Sequence, residues 1–267
     1  MKELVVRGVS GVLYVALITT ALFITQVSFT IVLLIFSTLA IVEFQRLIKH
    51  RSFLAFAVLL LLVYNFNRSK IDQLTLIYPL VVNFICQLIL LFWLFKNKTF
   101  KLNYTYKSIL TVCYLAFGCF FIIALAGTSE NYEPKNALLF YIFIWSNNSF
   151  AYLVGKKLGK KPLFPGISPN KTWEGFLGGL FFSIISAIIF HRFNSDFSLG
   201  IYIVFAILIA ILATVGDLVQ SKFKRYAAVK DSGSLIPGHG GFFDRMDSAI
   251  FAAPWIYFLI NFYHYVS

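Results

Sequence analysis

The stretch Gly8–Val42 reads GVSGVLYVALITTALFITQVSFTIVLLIFSTLAIV and carries no charged residue over 35 positions. A secretory signal core is far shorter, and one crossing of a bilayer takes about 20 apolar residues. The run therefore predicts two membrane helices joined by a tight turn near Thr25-Gln26-Val27-Ser28. Lys2 and Arg7 ahead of it mimic the basic start of a signal peptide. No small-x-small cleavage site follows them, so two helices remain the reading.

The rest of the chain repeats this character. With 59% hydrophobic residues, 13% charged residues and a mean hydropathy of +0.81, the composition excludes an ordinary soluble domain and predicts a polytopic membrane protein. The expected fold class is all-α, with about nine transmembrane helices over 9–25, 28–47, 53–67, 74–95, 108–127, 137–154, 175–191, 198–216 and 248–266. The third is short enough to tilt or re-enter. Cys86, Cys113 and Cys119 lie inside apolar runs without metal-type spacing and are expected to pack.

Charge then orients the helices. With a cytoplasmic N-terminus, all but Arg68, Lys70, Lys135 and Arg192 of the 23 Lys and Arg residues fall on the inner side. Much of the net charge of +12 is thus topology, and no nucleic-acid surface is expected. Two inner loops, 155–175 and 217–247, also carry Glu174, Asp217, Asp231, Asp244 and Asp247. Acids contribute little to orientation, so these predict chemistry at the cytosolic face. The chain divides on this basis into N-terminal helices, 1–107, and a catalytic region, 108–267.

The spacing within these loops allows paired readings. On a helix continuing past 216, Asp217, Ser221, Lys224 and Arg225 share one face, with Lys222 to the side. That suits a metal-bound polyphosphate, or equally a solvated helix end. Asp244 and Asp247, three apart at a helix start, are carboxylates on one face or simple caps, with Arg245 between them to balance charge or hold phosphate. In Pro237-Gly238-His239-Gly240-Gly241, backbone N–H groups are free to converge on an anion, and His239 is placed to touch a phosphate or a carboxylate. His50, His191 and His264 read as interface residues at span ends. Lys156, Lys157, Lys160 and Lys161 read as headgroup anchors as readily as ligands. Ser168-Pro169-Asn170-Lys171-Thr172, with Glu174 near the following helix start, suits an anion or nucleotide-phosphate site. Metal-type acids, phosphate-type cations and glycines on one face predict phosphoryl or nucleotidyl transfer.

Ser221-Lys222-Phe223-Lys224-Arg225, then Lys230-Asp231-Ser232-Gly233, then Ile236 through Asp247 (IPGHGGFFDRMD) closely resemble the signature of the phosphatidate cytidylyltransferases, the CDP-diacylglycerol synthases. Ser168 through Gly175 (SPNKTWEG) is similar to a second motif of that family. The resemblance implies an enzyme of the cell membrane that transfers CMP from CTP to phosphatidic acid on the cytosolic face and releases pyrophosphate. It implies Asp217 and Asp244 as metal-binding acids, supported by Asp247 and Asp231. Lys222, Lys224, Arg225, Lys230 and the turn Gly238, His239, Gly240, Gly241 would hold phosphates. It further implies Mg²⁺, with room for a second cation, and a homodimer.

One position departs from the pattern. Trp145 through Tyr152 (WSNNSFAY) aligns with a family segment that carries Asp where this chain has Asn148. Asn keeps the shape and a carbonyl ligand and loses the charge. Asn147 and Asn148 still read as a site-facing polar pair inside an apolar run. The alternatives are a related CTP-dependent enzyme acting on another lipid, and a low-activity or non-catalytic homologue.

Overall fold

A computed structural model describes residues 2–68, 74–96, 103–235 and 240–266; Lys70 of the charge pattern lies outside them. Among the described residues nine helices follow one another: α1 Lys2–Ile24, α2 Gln26–Leu47, α3 Leu54–Asn67, α4 Ile77–Phe95, α5 Tyr104–Ala124, α6 Pro134–Leu158, α7 Trp173–Phe193, α8 Leu199–Tyr226 and α9 Phe243–Val266. Seven of them are long and apolar enough to cross a membrane; Val9–Ile24 and Leu54–Asn67 are shorter apolar helices at the expected first and third spans. The molecule is an all-α polytopic membrane protein. Its outward faces carry exposed apolar side chains such as Leu13, Ile35, Leu61, Val82 and Phe181, the surface a lipid environment accepts.

The turn read in the first apolar run is a helix cap. Thr25 Oγ1 accepts from the Ser28 N–H at 3.0 Å, while Ser28 Oγ accepts from the Thr25 N–H at 3.1 Å. This reciprocal pair satisfies two donors that a helix start leaves open, and so α2 begins where α1 stops.

Two departures from the sequence expectation shape the site. The eighth apolar run stops at Gly216, but α8 continues to Tyr226. Leu218, Val219 and Phe223 keep one buried face going, and Lys224 and Arg225 stand in the last turn, where cations suit the helix dipole. The segment before α7, expected as a loop, forms an antiparallel hairpin of β1 Pro162–Phe164 and β2 Ser168–Thr172. The Trp173 N–H donates to Lys161 O at 2.9 Å, which seats the hairpin directly on α7.

The last helix is central: α9 packs against α8, α5, α2, α4 and α6. Close approach depends on small residues, as in other membrane bundles. A methyl on Gly118 of α5 would meet Ile250 O at 2.7 Å, and one on Gly216 of α8 would meet Asp247 O at 2.8 Å. Inside α5 the turn Thr111–Ala116 is π-helical. Such widening loosens carbonyls from their usual partners, and Asn83 of α4 donates to Cys113 O at 2.6 Å. At the polar end, the fully buried Phe44 ring of α2 makes edge contacts with Tyr114, Phe223 and Phe243, so one side chain ties α2 to α5, α8 and α9. Each such pair contributes about 1 kcal/mol beyond burial.

Candidate active site

The signature residues meet where α8 ends and α9 begins. Asp244, in the first turn of α9, is the knot. Its Oδ1 accepts from Lys224 Nζ at 2.7 Å and Gln220 Nε2 at 2.9 Å, both on α8. Its Oδ2 accepts from the Ser232 N–H at 2.9 Å, Ser232 Oγ at 2.8 Å and the Gly241 N–H at 2.9 Å. One buried carboxylate thus gathers a helix, a loop and a glycine turn. Gly240 helps by taking a φ of 80°, with no room for a methyl, which would lie 2.7 Å from Asp244 Oδ2. Asp244→Asn would leave Lys224, whose side chain is 14% exposed, without its counter-charge. Loss of about 3–5 kcal/mol of stability is expected, read as a lowered Tm in detergent.

A second carboxylate does related work, and the sequence reading missed it. Glu43 of α2 is fully buried and takes three donors from the same loop. Glu43 Oε2 accepts from the Phe243 N–H at 2.9 Å and lies 2.9 Å from Ser232 Oγ, whose single proton it shares with Asp244, and Oε1 accepts from the Phe242 N–H at 3.1 Å. Gly241 presses on it so tightly that a methyl there would come 2.1 Å from Oε2. Of the glycine-rich turn, Gly241 places its backbone N–H on an anion, and the Phe242 and Phe243 N–H groups that follow do the same. Among the described residues those anions are the protein's own carboxylates. The signal was present: Glu43 is the one acid in the 22-residue α2, and an acid at membrane depth is a functional candidate by default.

Asp217 is placed differently. Its side chain is 39% exposed; Oδ2 pairs with Lys171 Nζ at 2.6 Å, and Oδ1 accepts from Ser221 Oγ at 3.4 Å. Asp247 lies within electrostatic reach of Asp217, Lys171 and Lys224. It is buried on α9, and its Oδ1 accepts from the Ser248 N–H at 2.5 Å. The Gly216 contact with the Asp247 backbone explains why the two acids approach. Lys171 of β2 therefore joins the second motif to the first.

The remaining residues divide by role. Thr172 Oγ1 caps α7 by accepting from the Gly175 N–H at 3.1 Å, and Glu174 Oε2 accepts from the Lys160 and Lys161 N–H groups at 3.0 and 3.2 Å. Both fold the hairpin onto α7. Arg225 Nε donates to Ile167 O at 3.1 Å and holds the hairpin tip against α8. Lys222 turns away from the acids: its Nζ donates to Lys96 O at 2.6 Å, Leu94 O at 3.2 Å and Trp93 O, and lies 4.6 Å from the Trp93 ring centre. There it closes the C-terminus of α4. Asn170, Lys230, Asp231 and Arg245 are exposed and Ser168 half-buried around the cluster. Asn148, exposed on α6, donates from Nδ2 to Ser248 Oγ at 3.2 Å, the residue after Asp247. Gly238 and His239 lie outside the described residues. His50, expected at the membrane interface, is buried.

These contacts decide what a cation would find. Among the described residues no three of His, Cys, Asp and Glu converge into a metal cage. Mg²⁺ asks for less, since one or two carboxylates plus substrate phosphates complete its octahedron. Asp217, exposed and with Oδ1 weakly engaged, fits that role beside Asp247. Asp244 does not: both of its oxygens are saturated by protein donors.

The contacts also place one set of helix ends together. Lys222 joins the end of α8 to that of α4, Arg225 joins it to the hairpin after α6, and Glu43 joins the end of α2 to the start of α9. The basic segments read as lying on one side therefore lie at one end of the bundle.

Comparison with known proteins agrees with this picture. Residues 5–263 match the model of the cytidylyltransferase family. The phosphatidate cytidylyltransferase of Bacillus subtilis is 48% identical over 128 residues, 46% of each chain. That of Staphylococcus aureus (strain COL) is 39% identical over 154 residues, 57% of each, and that of Staphylococcus saprophyticus 30% identical over 207 residues, 77% of each. In the first two, the chain spans about half the length of the relative it matches.

Proposed function

The chain belongs to the cytidylyltransferase family, and from that premise we propose that it transfers CMP from CTP to phosphatidic acid, forming CDP-diacylglycerol and pyrophosphate. One observation carries the reading: a partly exposed carboxylate, Asp217, sits beside buried Asp247 and is held by Lys171, in the mouth of a loop braced by Asp244 and Glu43. The names of the similar bacterial proteins support the substrate pair.

In this reaction a phosphate oxygen of the lipid forms a bond to the α-phosphorus of CTP. The bond from that phosphorus to the β-bridging oxygen breaks, and pyrophosphate leaves with the electron pair. The lipid phosphate is already an anion, so no strong general base is needed. The difficulty is repulsion between two polyanions. Lys171 is placed to pass from Asp217 to an incoming phosphate, and the terminal nitrogens of Arg225 supply further donors once Nε is anchored. Asp217 and Asp247 would hold Mg²⁺, which supplies charge neutralisation to the polyphosphate. Lys224, committed to Asp244, keeps the loop in register. We place this site at the cytosolic face, where CTP arrives from water and the lipid from the bilayer; the family resemblance adds a homodimer.

The test is direct. Purified protein given CTP, phosphatidate and Mg²⁺ is expected to release one pyrophosphate per CDP-diacylglycerol formed. Absence of both products would overturn the proposal. Unlabelled polyprenyl phosphate that suppressed labelled CDP-diacylglycerol formation more strongly than unlabelled phosphatidate would assign the site to another lipid.

A further inference from the structure

A second polar feature lies one helical turn beyond Glu43 and outside the site just described. Arg46, Lys49, His50 and Arg51, at the end of α2 and the turn after it, face Tyr104 and Lys107 at the start of α5 around an open cavity of about 550 Å³. Among the described residues no carboxylate lines it and no ion pair neutralises these cations. The cavity is built: Lys107 Nζ donates to Lys49 O at 3.2 Å, Tyr104 Oη donates to Arg51 O at 3.0 Å, and the His50 and Tyr104 rings meet edge-on at 4.6 Å. His50 is 5% exposed. Its Nε2 pairs with Ser108 Oγ at 3.0 Å, while Nδ1 has no partner among the described residues. Burial, and to a lesser degree the positive charge of Lys107, lower the His50 pKa.

We propose that this cavity binds the phosphate headgroup of an anionic membrane lipid. Four cations around a concave, acid-free wall match a phosphate. The rim decides its source. Tyr104, which lines the cavity, is exposed, and the exposed Phe53 (88%) and Leu54 follow the lining Arg51 by two and three residues at the entrance to α3. Apolar and aromatic side chains next to a basic pocket at a helix end suit acyl chains and an interface better than a soluble anion. The site is separate from the acids that handle the reaction, and the inference does not depend on that reaction. It gives the N-terminal helices a lipid-binding role next to the α2 residue that braces the loop.

Phosphatidylglycerol tests this without engaging the proposed substrate site. Wild-type protein and Arg46→Gln/Arg51→Gln are placed in phosphatidylcholine nanodiscs carrying phosphatidylglycerol, and bound lipid is counted by native mass spectrometry after extraction. Each cation near an anionic headgroup contributes enough that losing two is expected to weaken retention about thirtyfold. Arg46→Lys/Arg51→Lys is expected to restore it, and all three proteins should show the same Tm in lipid-free detergent. Equal retention by wild type and the glutamine variant would overturn the proposal. Displacement of the lipid by inorganic phosphate at equal concentration would overturn the lipid assignment.

Discussion

Asp217→Asn is expected to lower the rate of CMP transfer about a thousandfold, the scale on which a single charge-stabilising group acts in such transfers. The substitution keeps the shape and removes the charge that would hold Mg²⁺ beside Asp247. Its structural cost is small. The side chain is 39% exposed, and although Lys171 Nζ is itself buried, the amide oxygen that the substitution keeps can still accept from it, so the cost stays at about 1 kcal/mol. The signature is therefore lost turnover at nearly unchanged Tm, measured as pyrophosphate release and thermal unfolding of the same preparation. Asp244→Asn should show the opposite balance, with stability falling because Lys224 loses its partner. Wild-type turnover in Asp217→Asn would remove this residue from the chemistry.

The second large effect is expected at Glu43. Glu43→Ala strips the acceptor from the Phe242 and Phe243 N–H groups and leaves Ser232 Oγ with Asp244 Oδ2 alone. Buried donors left unpaired cost about 1–3 kcal/mol each, so this variant is expected to unfold readily. Glu43→Gln separates folding from positioning. It keeps the volume and one carbonyl oxygen, but turns an NH₂ toward backbone N–H groups that need an acceptor. We expect a folded protein with kcat reduced about a hundredfold and faster hydrogen exchange confined to the loop before α9. Glu43→Gln with unchanged exchange and unchanged kcat would show that the loop does not depend on this carboxylate.

Much of the architecture was legible in the chain itself. Uncharged runs of membrane length located the helices because a bilayer admits little else. Lys and Arg sorted by loop parity because topology demands it, and the contacts among the ends of α2, α4 and α8 show the corresponding residues at one end of the bundle. The spacing of Asp217, Ser221 and Lys224 was readable once a helix was assumed, and α8 supplies that helix. The hairpin over Ser168–Thr172 was not readable, since a Ser-Pro-Asn-Lys-Thr run has no strand periodicity and is set by contacts with α6, α7 and Arg225 of α8.

Residue type named the acids that matter, and partners decided what each one does. Asp217 and Asp244 look alike in sequence, each an aspartate at the polar end of a long apolar helix. Only the packing of α8 on α9 leaves Asp217 open to solvent beside Asp247 and surrounds Asp244 with five donors. Glu43 makes the same point across 200 residues of chain separation from Phe243. Its sequence neighbourhood carries no trace of the loop it braces. The membrane imposes lengths and sidedness that composition alone satisfies, whereas a carboxylate's role depends on which donors tertiary folding brings within hydrogen-bond reach.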